Sequence, residues 1–237
     1  VIDAASGREA IILAGGLGTR LRGVIGDIPK PMAPVAGRPF LTHLFDRLVN
    51  QGFSRVILSV GYKHEQIQSH FGDAYGDLRL IYAVEEKPLG TGGGLRHALR
   101  HATSSAVFVF NGDTMALVDL AGMHSHHLAA HASLTIALRE VPDASRYGCC
   151  VINDGYITAL SAQGREGAGY INAGVYLMAP SLLERDDLPE AFSFERDFLE
   201  THITEARPLA YPFNGQFIDI GVPADYERAQ SLFRQPL

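Results

Sequence analysis

An α/β fold built on a parallel-sheet core is what this sequence predicts, on three observations. Short aliphatic runs bounded by glycine, such as Ile11-Ile12-Leu13, have the continuity of strands buried on both faces. Amphipathic segments of helical period alternate with such runs through the first half, which is the βαβ pattern. A chain of 237 residues with 46% hydrophobic content can bury one substantial core, so a single domain over residues 1–237 is expected.

Taken in chain order, the first run leads straight into "LAGGLGTRLRG", Leu13 to Gly23, so this glycine-rich segment leaves the end of a strand. Phe40, Leu41, Leu44, Phe45 and Leu48 then recur at helical spacing, and Gly52 follows where a glycine would stop the helix. "RVILSV" (Arg55 to Val60), "LRLIYAV" (Leu78 to Val84) and "AVFVFNGD" (Ala106 to Asp113) are strand-like, with "GTGGGL" opening a helical segment before the third. After Leu138 the texture changes to short β-rich runs with turn signals, "YGCCVINDGYITAL" and "YINAGVYLM". Helical patterns return at "FERDFLETHI" and "PADYERAQSLF". The expected organisation is a first half over residues 9–138 and a second half over 139–237 that supplies substrate-facing, β-rich insertions on the same sheet. No period of 20 to 50 residues recurs, which removes solenoids and propellers.

Charge and cysteine content narrow the function classes. A formal net charge of -6 gives no general attraction to nucleic acid or anionic lipid, so neither is an expected partner and any anion site is local. No stretch has the length of a membrane-spanning helix, and "VIDAASGREA" lacks the basic and apolar regions of a signal peptide, so a cytoplasmic location is expected. Cys149 and Cys150 are adjacent, which on a strand points their thiols to opposite faces and leaves both reduced. The residues do not fix the oligomeric state, and a homodimer stays open.

The glycine-rich segment matches neither the P-loop nor the dinucleotide fingerprint. Gly15, Gly16 and Gly18 still let backbone N–H groups approach an anion, and Arg20 adds a planar fork for phosphate oxygens, so a triphosphate fits. In "DIPKPMAPVAGRPFL", Lys30 stands between two prolines that stiffen the backbone and hold its ammonium in place, although alone it reads rather as a solvated lysine on an irregular loop. Asp113 and Asp219 each end an apolar run, where they serve as metal ligands or as turn residues.

The ordered set "LAGGLGTRLR", "PKPMAPVAGRPFL", "EEKPLGTGGGL", "NGD" and "FIDIGVPADYERA" resembles the sugar-1-phosphate nucleotidyltransferase family over nearly the whole chain. Within the family the wording is most similar to guanylyltransferases of D-glycero-D-manno-heptose 1-phosphate, then of mannose 1-phosphate. The resemblance implies a Rossmann-like mixed, mostly parallel sheet flanked by helices. The implied reaction joins a nucleoside triphosphate, GTP for this branch, to a sugar 1-phosphate with release of pyrophosphate. It implies that Leu13, Ala14, Gly15, Gly16, Gly18 and Thr19 cradle the nucleotide, with Glu85, Gly90, Thr91 and Gly112 beside it. Arg20 would face the leaving pyrophosphate, Lys30 the attacked group, and Asp113 and Asp219 would hold Mg²⁺. Tyr147, Gly148 and Asn172 would lie along the sugar.

Several positions keep two readings. Relatives often carry a Glu-Lys pair about ten residues before the asparagine, whose lysine meets the sugar phosphate; this chain has Ala162-Gln163 there. Arg165 is the nearest basic residue and either replaces that anchor or is an exposed loop arginine. Glu195 either pairs with Arg196 at a helix start or contacts the sugar. Glu85 is either structural or a carboxylate acceptor suited to the adjacent N1–H and N2–H donors of guanine. His127 and His131 have zinc-compatible spacing but no accompanying carboxylate motif. A glycosyltransferase would present Asp-x-Asp where this chain has Asn111-Gly112-Asp113, and a non-catalytic nucleotide-sugar sensor would tolerate loss of Lys30; the joint presence of Lys30 and the aspartates favours an enzyme.

Overall fold

The computed structural model describes residues 8–16, 18, 21–161, 164 and 166–234. The first half runs β1 (Arg8–Leu13), α1 (Arg22–Ile25), β2 (Pro34–Val35), β3 (Arg38–Pro39), α2 (Phe40–Asn50), β4 (Phe53–Val60), α3 (His64–Phe71), β5 (Ala74–Tyr75), β6 (Leu78–Val84), α4 (Gly90–Leu99), β7 (Val107–Asn111), β8 (Thr114–Ala116), α5 (Leu120–Ala129) and β9 (Leu134–Val141). The second continues with β10 (Cys149–Asn153), β11 (Tyr156–Ser161), β12 (Gly169–Met178), a π-helical turn (Phe194–Leu199), α6 (Glu200–Ala206), β13 (Leu209–Phe213), β14 (Phe217–Asp219) and α7 (Pro223–Leu232).

Burial on both faces explains why the early strands are continuous aliphatic runs. Ala10 and Ile12 of β1 face one core with Phe40, Phe45 and Leu48 of α2, while Ile11 faces the other with Leu95 and Leu99 of α4. Every apolar position that gave α2 its period is buried, and Gly52 follows the helix with φ at 76°.

Ten strands form one sheet in the order β10-β11-β13-β9-β12-β7-β1-β4-β6-β5. The run β7-β1-β4-β6 is parallel, as is β9–β13. The pairings of β12 with β7 and β9, of β10 with β11 and β12, and of β5 with β6 are antiparallel. The expected mixed sheet is therefore present, with its parallel character concentrated in the first half. The reason is connection length: helices link β1, β4, β6 and β7, whereas a tight turn joins β10 to β11. Because β10 also pairs with β12, the strands β12, β9, β13, β11 and β10 close into a ring.

Both cysteines are free thiols on β10, and burial pushes the Cys150 thiol up to about 12. The shared helical face expected for His127 and His131 does not form, because α5 ends at Ala129 and His131 sits beyond it with φ at 48°. His127 is buried and its Nδ1 lies 2.7 Å from Thr135 Oγ1. No helix among the described residues is long and apolar enough to cross a membrane.

Candidate active site

A cleft of about 570 Å³ opens at the carboxyl ends of the parallel strands. β4 and β6 lie to one side of β1 and β7 to the other, so the cleft sits where the strand order reverses, the usual ligand position in open α/β sheets. Leu13, Ala14, Gly15 and Gly16 form its floor as the chain leaves β1. Ala14 N–H donates to Ser59 O at 2.8 Å and Gly112 N–H to Leu13 O at 2.9 Å, which fixes the loop between the ends of β4 and β7. Residue 112 has to be glycine: a Cβ there would lie 2.6 Å from Leu13 O. Gly18, with φ at 59°, backs onto Lys30.

Lys30 opens a 3₁₀ turn, Lys30–Met32, after Pro29, and its side chain is only 12% exposed. The ammonium donates to Asp113 Oδ2 and lies 4.0 Å from Asp219 Oδ1. The two aspartates meet because β8 and β14 pair antiparallel with Asp219 opposite Thr114, and Ile220 N–H donates to Asp113 O at 2.9 Å. Asp113 Oδ1 accepts from Thr114 Oγ1 at 3.1 Å, and Asp219 Oδ1 accepts Gly221 N–H at 2.6 Å. Two converging carboxylates fit Mg²⁺, which binds through one or two carboxylates and completes its shell with phosphate oxygens and water. Among the described residues no group of three or more potential ligands occurs, so the donor set is not a closed all-protein cage. Lys30 supplies the positive charge between the carboxylates here.

At the other end of the cleft stands Glu85, just past β6. Its Oε2 accepts Leu89 N–H at 3.0 Å, ahead of α4, and its Oε1 accepts the longer 3.3 Å bond from Ser59 Oγ. It is therefore both a structural carboxylate and part of the cleft wall.

The profile of the nucleotidyl transferase family matches residues 9–235. The chain belongs to that family. It is 45% identical over 222 residues to D-glycero-alpha-D-manno-heptose 1-phosphate guanylyltransferase of Aneurinibacillus thermoaerophilus, covering 94% of this chain and 96% of the relative. The Campylobacter jejuni protein of the same description is 39% identical over 219 residues, covering 92% and 96%. The crystal structure of HddC from Yersinia pseudotuberculosis complexed with GMP-PN superposes with a TM-score of 0.84 at 39% identity, covering 95% of this chain and 99% of that one. The resemblance read from the ordered motifs is borne out.

This nucleotidyl transferase joins its two halves across the cleft. Gly90 and Thr91 open α4 in the wall, and Thr91 Oγ1 donates to Glu195 Oε2 at 2.8 Å while accepting Phe194 N–H at 2.9 Å. The expected Glu195–Arg196 pair is replaced: Arg196 reaches its neighbour Asp197, Nε to Oδ1 at 2.8 Å, and Glu195 turns into the cleft. Tyr147, Gly148 and Asn172 lie outside these walls. Asn172 Oδ1 accepts Gly174 N–H at 3.0 Å and its Nδ2 donates to Tyr176 at 2.8 Å, at an irregularity of β12 that leaves one amide donor spare. Thr19, Arg20 and Arg165 fall outside the described residues. Ser59 and Gly61 line the cleft without having been singled out. Their signal was positional: each lies at or just past the carboxyl end of a strand that the sequence showed.

Proposed function

We propose that this protein is a sugar-1-phosphate guanylyltransferase that transfers GMP from GTP to D-glycero-D-manno-heptose 1-phosphate. A phosphate oxygen of the sugar 1-phosphate attacks the α-phosphorus of GTP, the bond from that phosphorus to the bridging oxygen breaks, and pyrophosphate leaves. The reaction brings several anionic oxygens together, so it rests on charge neutralisation and in-line positioning and needs no covalent nucleophile. The observation that carries the reading is the convergence of Lys30, Asp113 and Asp219 at one end of a cleft whose floor is the glycine-rich loop after β1.

In this reading the loop from Leu13 to Thr19, with Gly112, receives the nucleotide, and Glu85, Gly90 and Thr91 flank the nucleoside. Lys30 neutralises the attacked phosphate and Arg20 the leaving pyrophosphate. Mg²⁺, held by Asp113 and Asp219, would neutralise and polarise the phosphate oxygens when bound. Residues 139–237 supply the sugar side, with Tyr147, Gly148, Asn172 and Glu195 as contacts. The guanylyl and heptose assignments rest on the full-length identity to the two heptose 1-phosphate guanylyltransferases. Incubation with GTP, the sugar 1-phosphate and Mg²⁺ should yield a product of the mass of the GDP-sugar, and a chelator should stop its formation. Turnover that persists in the chelator would remove the metal from the reading.

A further inference from the structure

The sugar 1-phosphate brings a second phosphate to the carboxylate end of the cleft, and that dianion needs a cation of its own. Lys30 is already engaged by Asp113, and Lys87 pairs with Glu190 Oε2 at 2.7 Å beside the Glu85 end. Resting on the proposed activity, we infer that Arg146 receives the phosphate of the sugar 1-phosphate, its guanidinium held in place by the buried carboxylate of Asp225.

Three features carry this. First, the loop that bears Arg146 is fixed: Asp143 accepts both Ser145 N–H and Ser145 Oγ at 3.0 Å, and Tyr147 N–H donates to Ala144 O at 3.0 Å. Second, Asp225, only 4% exposed in the first turn of α7, accepts Arg146 Nη2 at 2.6 Å, while Arg228 Nη1 lies 3.4 Å from its other oxygen. Two guanidiniums on one carboxylate leave a net positive charge. Asp225 engages one Arg146 nitrogen, and the side chain stays 53% exposed, so its remaining N–H donors can fork onto a phosphate. Third, the guanidinium stands on the Asp219 side of the site. Its carbon is 5.7 Å from the Tyr147 ring centroid, and that ring lies 6.0 Å from the ring of Phe217, two residues before Asp219 on β14. The charge of Asp219 is among the influences that raise the Arg146 and Tyr147 pKa values, behind Asp225 for the arginine and burial for the tyrosine.

The test is steady-state kinetics of Arg146→Ala, Arg146→Lys, Arg165→Ala and Arg228→Ala, each compared with the parent protein for folding by thermal melt. Loss of a charge-assisted, forked contact should raise KM for the sugar 1-phosphate about tenfold or more in Arg146→Ala, with kcat and KM for GTP within about threefold. Arg146→Lys keeps the charge without the fork and should fall between, which also serves if the alanine variant does not fold. Arg228→Ala removes the second charge on Asp225 but no phosphate contact, and should raise KM for the sugar 1-phosphate by less than Arg146→Ala does, with KM for GTP unchanged. Equal effects of Arg146→Ala on both substrates, no effect, or the sugar-phosphate defect appearing in Arg165→Ala alone would overturn the inference while the activity stands. A parent protein inactive with every substrate pair would overturn the activity and this inference together.

Discussion

Lys30 caught between Asp113 and Asp219 makes the behaviour of the two aspartates predictable one by one. Asn at either position keeps the size and the hydrogen bonds from Thr114 or Gly221 within reach but removes the charge that holds Lys30 and that Mg²⁺ would need. Each variant should fold with an unchanged melt and lose at least about a hundredfold in kcat; full activity in Asp219→Asn would refute the shared site. Glu85 has one oxygen committed to Leu89 N–H and one on a longer bond to Ser59. Glu85→Gln should therefore lower the GTP-to-UTP ratio of kcat/KM by about tenfold, since a charged acceptor matched to two donors is lost. An unchanged ratio would make Glu85 purely structural. The residue types at this site were legible from the ordered set of motifs that carries them, since a glycine or aspartate at one strand end is by itself equally a turn residue. Their meeting was implied only by the family resemblance and not by the pattern of the chain, because it depends on the three-residue pairing of β8 with β14, far too short to leave a periodic trace.

At the level of elements, α4 and the segment before the π-helical turn are packed without room for a side chain. A Cβ on Gly93 would lie 2.5 Å from Glu190 O and 2.9 Å from Leu89 Cβ. Gly93→Ala should cost about 1–3 kcal/mol in denaturant unfolding, and should shift the Thr91–Glu195 bond that spans the halves. A neutral result would mean that the segment moves freely. α5 carries a pH-dependent term. Burial first, and the charge of His124 second, lower the His127 pKa to about 4. The unfolded chain binds that proton from about pH 6.5 downward and the folded chain does not, so stability is full above that range and falls as pH drops toward 4. Between pH 7 and 5 the loss assignable to His127 should be about 1–2 kcal/mol, and His127→Gln should remove it from the denaturation curves. Parallel curves for the two proteins would exclude His127 as the source. α2 was legible from period and stop glycine alone, whereas the π-helical turn was not, because its wider hydrogen-bonding step blurs the helical period that "FERDFL" otherwise shows.

For the whole molecule, the sheet divides into a parallel half and a ring of largely antiparallel strands. Parallel strands collect their carboxyl ends at one edge, which gathers the cleft from residues distant in sequence. The second half adds Glu195 of the π-helical turn to the cleft wall, and the ring carries the loop that bears Arg146 and Tyr147 outside it. The first half was legible because strands buried on both faces are written as unbroken aliphatic runs. β13 was not, because Pro212 interrupts a five-residue strand whose neighbour β9 precedes it by a long excursion. Guanylyl transfer to a sugar 1-phosphate is tested most directly by pyrophosphate release with GTP, ATP, CTP, UTP and dTTP crossed against heptose, mannose and glucose 1-phosphates. The highest kcat/KM is expected for GTP with D-glycero-D-manno-heptose 1-phosphate, then for GTP with mannose 1-phosphate. Preferred release with UTP or dTTP, or no release with GTP and any of the sugars, would contradict guanylyl transfer.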